Sequence, residues 1–372
     1  MRETGIYQNI GEMRYFIPHP LPPSNPHLQM NNEIMALYGE ASFSLGQLNE
    51  TSKRLPNLNR FIKAYVIKEA LLSSAIEGIQ TTLIDVFTQP INNIKINKDT
   101  QLVINYTHSL ETALNMVKEE GFPIVSRVIL AAHNSLMAYG EGEKASPGQY
   151  RQQSVRVGNL IPPPATDVPR LMGLLEKYIN EPSDIPPLIK AGLAHVHFET
   201  IHPFLDGNGR IGRLLIVLML ISYNLIEAPI LYPSYYFKKY HLEYYQYLDR
   251  VRTHGDYENW VAFYLKAIKD SALDAYLRAK EIEELEKKLK DIVYNNQKFA
   301  KMRDTALSTV NILFSHPVIS ITELSAGIGK AYNTAHHILK QFIDLGILSE
   351  NNAQRRNKTY RFEPYLALLE KE

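Results

Sequence analysis

Residues 202–213, HPFLDGNGRIGR, bring one histidine, one carboxylate, one asparagine, three glycines and two arginines into twelve positions. The apolar run that follows reads as a helix beginning near Ile211. A Gly-Asn-Gly turn entering a helix leaves several backbone amides without intrahelical partners, all aimed one way, and glycine lets a ligand come close to the backbone. That combination makes an anion site. The helix dipole adds to the amides, and Arg210 and Arg213 supply two guanidiniums able to grip phosphate oxygens in bidentate fashion, so three phosphates suit the set better than one. Asp206 stands where it could hold Mg²⁺ against those oxygens, because Mg²⁺ commonly takes one carboxylate together with substrate phosphates. His202, four residues earlier, is the nearby group able to accept a proton near neutral pH.

Taken singly these features are ordinary. A GNG is usually a turn, an arginine pair at i,i+3 usually a solvated helix face, and one histidine is more often packed than catalytic. Their conjunction ahead of an apolar helix points to a phosphate site. His195, His197 and His202 with Glu199 could suggest a metal cluster, but residues i and i+2 of a helix face different ways, so His195 and His197 do not converge and are expected to be packed or hydrogen-bonded.

The elements that must position these groups are mostly helical. The opening IPHPLPPSNPHL is rich in proline and reads as an extended arm. Apolar residues then recur at helical spacing in NNEIMALYGEASFSLGQLNETSKRL, RFIKAYVIKEALLSSAIEGI, LVINYTHSLETALNMVKEE, SRVILAAHNSLMAYG, VPRLMGLLEKYIN and PLIKAGLAHVHFETI. The exception is PGQYRQQSVRVGNLIPPP, where Val155 and Val157 alternate with Arg156 ahead of Gly158. This predicts a short strand or hairpin flap ended by Pro162 to Pro164. From Asp256 a helix runs into a Glu/Lys-dense stretch with i,i+4 pairing, expected to be a solvated bridge. After Phe299 the order is short helix, glycine turn, longer helix and two strand-like pieces around NNAQRRNK, the layout of a winged helix-turn-helix. The boundaries that follow are an N-terminal arm and helical region over 1–100, a site-bearing domain over 101–280, a helical linker over 281–298 and a winged helix over 299–372.

The chain of 372 residues is 45% hydrophobic and 21% charged, as expected of a soluble globular protein. A formal net charge of +1 provides no global field for nucleic acid or membrane, so polyanion binding would need a local patch. The absence of cysteine excludes disulfides and thiolate metal sites and fits a reducing compartment. No secretory signal is legible at the start, and the apolar run LLIVLMLISYNLI is too short to span a bilayer; a cytoplasmic protein with no membrane partner is expected.

The segment HPFLDGNGRIGR resembles the signature of Fic-domain proteins at every specified position: His, any, Phe, any, Asp or Glu, Gly, Asn, Gly, Arg, two residues, Arg. The surroundings LPP, EALLSSAIEG, GQYRQQSVRVGN and PPPATDVPRLMGLL are similar to bacterial Fic proteins that carry an N-terminal helical region and a C-terminal winged helix. The resemblance implies a Fic-type helical bundle and a protein adenylyltransferase, moving AMP from ATP to a Tyr, Thr or Ser hydroxyl of a target protein or of itself. His202 would be the general base, and Asp206 would hold Mg²⁺ as cofactor. Gly207, Asn208 and Gly209 would cradle the α- and β-phosphates, Arg210 and Arg213 would bind the departing pyrophosphate, and Phe204 would be apolar anchorage. A branch of the family that transfers phosphate has lysine where this chain has Gly209, which argues for AMP transfer.

Ser73, Glu77 and Gly78 resemble the family's inhibitory motif: Ser or Thr, three residues, Glu, then Gly or Asn. If Glu77 reaches Arg213 it occupies the guanidinium that the γ-phosphate needs, and the resting enzyme is silent. The ordinary reading of the same residues is a surface Glu with Gly78 closing a helix. Glu77 could also orient water for removal of AMP. Val155, Arg156, Val157 and Gly158 resemble the flap that aligns a target segment by strand addition, with a plain structural hairpin as the alternative. Tyr244 stands where relatives place an aromatic near adenine, although packing would explain a tyrosine here too. The rival function is a DNA-binding regulator with accessory nucleotide binding. It would use Lys340 on the second helix of the winged unit and Arg355, Arg356 and Lys358 in its wing; docking of a protein and a homodimer burying Fic-domain surface are the other partner readings.

Overall fold

The computed structural model describes residues 2–54, 58–89, 97–139, 145–351 and 358–371. The protein is mostly helical, as its periodicity predicts. It opens with a hairpin of β1 (Gly5–Ile10) and β2 (Met13–Pro18), paired from Gly5↔Pro18 to Ile10↔Met13. The arm read from the prolines therefore starts inside a strand. Next come α1 (Asn32–Arg54), α2 (Leu58–Ile76), α3 (Leu83–Thr88), α4 (Lys98–Leu114), α5 (Ser126–Leu136) and α6 (Val168–Asn180).

At the centre stand α7 (Pro187–Ile201) and α8 (Asn208–Ser222), packed against each other. Both are buried around nearly their whole circumference, the pattern of a helix surrounded by protein, although a few charged and polar side chains interrupt their apolar surface. In α7 every residue after Pro187 is buried, and in α8 Arg210 to Ile221 are buried. Proline at the first position of α7 costs nothing, because that amide has no helical partner. The helix α8 begins at Asn208, three residues before the point expected from apolar spacing, so Asn208, Gly209 and Arg210 form its first turn.

The outer wall is α9 (Ser234–Lys239), α10 (His241–His254) and α11 (Tyr257–Asn295). Trp260 on α11 is fully buried and its indole N–H donates to the Gly192 carbonyl of α7 at 2.9 Å. At 39 residues α11 spans about 58 Å. Its Glu/Lys-dense end is not a solvated bridge: Ile282, Glu286, Leu289 and Val293 are buried along one face, and the Glu286 carboxylate meets Arg60 of α2. A helix can pair its charges outward and still bury a stripe.

The remaining elements are α12 (Arg303–Ser315), β3 (Val318–Ser320), α13 (Ile321–Ile328), α14 (Tyr332–Asp344), β4 (Ser349–Glu350), β5 (Thr359–Arg361) and α15 (Glu363–Glu370). The sheet order is β3-β5-β4, antiparallel throughout. A capping box between Ser320 and Glu323 starts α13, and Gly329 at φ 61° ends it. Arg355 and Arg356 lie outside the described residues; Lys358 pairs with Glu350, and Lys340 is exposed on α14. Among the described residues no helix is long and apolar enough to cross a membrane.

The flap differs from its expectation. Val157 and Leu160 form a single bridge, each donating its amide to the other's carbonyl at 2.9 Å around Gly158 and Asn159. Gly158 sits at φ 57°, and no strand extends through Val155 or Arg156. The turn is braced from outside, where Phe16 of β2 donates its amide to Ile161 and the Tyr15 hydroxyl meets Ser154.

Candidate functional site

The end of α7 presents His202 in the left-handed region, φ 50°, its amide still bonded to the Phe198 carbonyl. That conformation is rare for a residue with a Cβ, and it persists only where neighbours enforce it. Arg151 does so. From a buried position its Nε donates to the His202 carbonyl at 2.8 Å and its Nη2 to Pro163 at 2.6 Å, while its own amide donates to Pro203 at 2.9 Å. Burial lowers the His202 imidazole to about 4, against the pull of the Glu199 backbone, so at neutral pH the ring is uncharged and able to accept a proton. Its Nδ1 is buried without a hydrogen-bond partner.

The loop between the two central helices is closed by Asn208, whose Oδ1 accepts from the Phe204 amide and whose Nδ2 donates to the Phe204 carbonyl. Phe204 is fully buried and stacks on His133 of α5, ring centroids 3.7 Å apart. The Gly148 amide donates to Nδ1 of His133; the proton must therefore sit on Nε2, which donates to the Asp206 carbonyl at 3.1 Å. Gly207 follows at φ 78°, with its amide given to the Asp206 carboxylate at 2.6 Å. The first bond within α8 runs from Ile211 to the Gly207 carbonyl, and no side chain caps the helix. The amides of Asn208, Gly209 and Arg210 thus form its N-terminal donor set. The Asp206 side chain is 60% exposed.

Glu77 stands just past the end of α2 and its carboxylate spans both arginines. Oε2 accepts from Arg210 Nε at 2.7 Å and Oε1 from Arg213 Nη2 at 2.8 Å. The expectation from sequence reached Arg213 alone. Arg213 is also held by Ser73, through Oγ at 2.8 Å and the carbonyl at 2.9 Å. Burial depresses the Arg213 guanidinium, but Glu77, and behind it Tyr244, Glu199 and Tyr245, together outweigh burial and drive the pKa upward. Gly209 is needed beside this contact, since a Cβ there would lie 2.5 Å from Glu77 Oε1. Gly78 adopts φ 81° and turns the chain away.

These groups line one cavity of about 580 Å³, shared by Glu77, Glu199, His202, Asp206, Gly209 and Arg213, the flap residues Val157 to Asn159, and Tyr244, Tyr245, Leu248, Asp249 and Arg252 of α10. Val155 and Arg156 are not part of its lining. Tyr244 touches it but is 1% exposed and bonded through its hydroxyl to His195, whereas Tyr245 beside it is 47% exposed. Both His195 and His197 are buried, as expected of packed helix residues.

Among the described residues no group of three or more His, Asp or Glu side chains could hold a metal ion. Asp206, an exposed carboxylate on the wall of this cavity, is a donor that suits a Mg²⁺ taking most of its ligands from phosphate and water.

The Fic/DOC family model matches residues 123–220, and the model of the Fic/DOC family N-terminal region matches residues 35–115. The part of the chain that carries the site therefore matches the Fic/DOC family. Among its relatives is the protein adenylyltransferase Fic of Drosophila erecta, 34% identical over 158 residues, which are 42% of this chain and 30% of that one. The protein of the same name from Nematostella vectensis is 28% identical over 60% of this chain and 52% of its own length. The Drosophila grimshawi protein is 26% identical over 73% and 57% respectively. The matches span 30% to 57% of the length of these relatives. In fold it is similar to a Fic family protein from Desulfovibrio desulfuricans G20, at a TM-score of 0.57 and 23% identity, covering 90% of this chain and 97% of that one. The Fic signature loop is braced here by Arg151 and His133, and its cavity is lined by Glu199, Tyr245 and Arg252, none of which local spacing reveals.

Proposed function

We propose that the protein is an adenylyltransferase that moves AMP from Mg²⁺·ATP to a hydroxyl side chain of a protein, and that Glu77 keeps it silent at rest. The observation that carries this is a carboxylate, Glu77, seated on both guanidiniums at the start of α8, in the cavity that a neutral His202 also lines. Two arginines, free helix amides and a glycine-lined approach are machinery for a polyphosphate, and a glutamate standing in its place is a plug.

With Glu77 withdrawn, Arg210 keeps only its pair with Asp206 and Arg213 only its bonds to Ser73, so both can turn to the outer phosphates, and the Asn208 to Arg210 amides face the phosphorus that reacts. Bound Mg²⁺, held by Asp206, would supply positive charge to the phosphate oxygens. The target hydroxyl oxygen attacks the α-phosphorus, its proton passes to the ring of His202, and the bond to the β-phosphate oxygen breaks to release pyrophosphate. The site contributes positioning and fixed charge, which is what phosphoryl-group chemistry requires. The turn at Val157 to Leu160 offers a backbone edge beside the cavity for the target segment.

Both oxygens of Glu77 are committed to arginine, which favours a blocking role over orientation of water for AMP removal. We read residues 299–372 as a winged helix. The exposed residues of α14 include Tyr332, Asn333, His336, His337 and only one lysine, Lys340, a surface better suited to protein than to a polyanion.

The test is incubation of the parent, Glu77→Gly and Glu77→Gly/His202→Ala proteins with labelled ATP, alone and with lysate, followed by mass spectrometry of any AMP adduct. Adduct from the single variant only is the expected result. Equal labelling of parent and Glu77→Gly would remove the inhibitory role, and labelling by the double variant would remove His202 as base.

A further inference from the structure

We propose that Glu199 is a nucleotide-recognition residue, a buried acceptor that takes a hydrogen bond from a donor on the bound nucleotide, either a ribose hydroxyl or the exocyclic amine of the base. The inference rests on the adenylyl-transfer reading and adds which feature of the nucleotide this chain selects.

Glu199 lies on α7 one turn before His202, is 8% exposed, and lines the same cavity. Its Oε1 is buried and has no hydrogen-bond partner. A carboxyl oxygen left unpaired in a protein interior is costly, and where one persists beside a cavity it marks a place for a donor from outside.

Apart from Arg252 Nε, which is unpaired yet makes no hydrogen bond to Glu199, the donors nearby are committed elsewhere. The Gly212 carbonyl can only accept, so the His195 ring donates to it through Nδ1, at 2.8 Å. Burial keeps that ring neutral, so its Nε2 must accept, and the Tyr244 hydroxyl gives its proton to it, also at 2.8 Å. Tyr244 therefore has no proton left for Glu199. Arg213 donates through Nε and Nη2 to Ser73 and Glu77. Arg252 donates through Nη2 to Asp249, and its buried Nε stands unpaired like the carboxylate.

The helix opposite makes room for this group. A Cβ at Gly212 would lie 2.3 Å from Glu199 Oε1, so any other residue there would expel the carboxylate. Glycine within a packed helix is unfavourable on its own account, and accommodation of Glu199 supplies the reason for it.

The charges facing Glu199 set its form in each state: Glu77 beyond α2, Arg213 of α8, and Arg252 of α10, with Tyr244, Tyr245 and His195 as its neutral neighbours. Burial pushes the carboxyl up to about 7, with Arg213 and Arg252 pulling down and Glu77 pushing up. Withdrawal of Glu77 removes the one nearby charge that opposes ionisation. Glu199 is then a better acceptor in the state that is free to bind nucleotide productively.

Calorimetry with Mg²⁺ and the full chain tests this, using Glu77→Gly, Glu77→Gly/Glu199→Ala and the near-isosteric Glu77→Gly/Glu199→Gln. Each is titrated with ATP, 2′-deoxyATP, 3′-deoxyATP and ITP. In the Glu77→Gly protein the analogue lacking the recognised donor binds about tenfold more weakly than ATP, as expected for one lost hydrogen bond. Which analogue it is separates ribose from base. Glu199→Ala abolishes that difference by weakening ATP to the level of the analogue, and Glu199→Gln retains part of it. ATP binding with the same discrimination in all three proteins would overturn this inference alone. No heat from any nucleotide with Glu77→Gly would overturn the adenylyl-transfer reading and this inference with it.

Discussion

Ser73 holds Arg213 twice, its Oγ accepting from Nε at 2.8 Å and its carbonyl from Nη2 at 2.9 Å. Together with Glu77 one turn later, a single helix end commits the guanidinium that the cavity would otherwise present to a phosphate. Only the hydroxyl bond can be deleted by substitution. A hydrogen bond to a charged group is worth about 1.5–3 kcal/mol, so Ser73→Ala should loosen the plug without removing it. AMP incorporation is expected to rise above the parent and stay below Glu77→Gly. A rate equal to the parent's would mean that Ser73 only packs.

Glu77→Gln separates charge from shape. Glutamine keeps the volume and one carbonyl oxygen but takes the Glu77 charge from Arg213 and leaves Arg210, equally buried, with only the exposed Asp206 carboxylate at 3.4 Å. Removing one member of a buried pair strands the other and favours any replacement anion. ATP affinity measured by calorimetry should therefore be higher than in the parent, and transfer intermediate between parent and Glu77→Gly. If the glutamine protein binds ATP no better than the parent, the obstruction is steric.

His202, Asp206, Arg210 and Arg213 were legible in the sequence because one turn and the helix that follows it carry them all, so spacing alone brings them together. Glu77 was legible only through its motif, and its bridge to Arg210 depends on where α2 ends in space. Arg151, His133 and Glu199 were not legible as site residues. Arg151 in QYRQQ looks like any solvated arginine until tertiary packing buries it under the end of α7, and Glu199 shows its unpaired oxygen only against Gly212. The strand β1 was missed because five of its six residues are exposed, which erases the inside-outside alternation that betrays a strand. Val155 and Val157 alternate as a strand would, yet the turn at Gly158 closes after one bridge.

Acid should weaken the fold near pH 5.5. His133, His195, His197 and His202 are lowered by burial to about 4, 3, 4 and 4, from an ordinary 6.5. Between pH 6.5 and about 4 the unfolded chain takes up protons that these native imidazoles refuse, so stability drops as the pH falls. Glu69 and Glu199 act the other way. Burial raises both to about 7 from an ordinary 4.5, so they keep protons that unfolded carboxyls release, and their contribution falls as the pH rises from 4.5 to 7. Four groups oppose two, and the histidines prevail. Denaturant midpoints at pH 7.5 and 5.5 should show the lower value at 5.5; an equal or higher one would contradict the burial of the imidazoles.

The helix that ends in Glu77 is gripped at its other end by the C-terminal part of the chain. Arg60 of α2 reaches Glu286 of α11 at 3.2 Å and the Asn311 carbonyl of α12 at 3.5 Å, with its guanidinium 5.4 Å from the Phe314 ring. Lys68, two turns on, donates to the Lys371 carbonyl at 3.2 Å. Arg60→Met keeps the apolar stem and removes the charge, leaving Glu286 to Lys290 at 2.8 Å. Breaking a buried pair typically costs about 3–5 kcal/mol, and the remaining lysine should reduce that to about half. The loss loosens α2 within its socket, so amide exchange through the turn at Ser73 to Glu77 should quicken and basal AMP transfer should rise. Unchanged exchange and an unchanged rate would show that the plug is held by its arginines alone, with no contribution from the distant anchor.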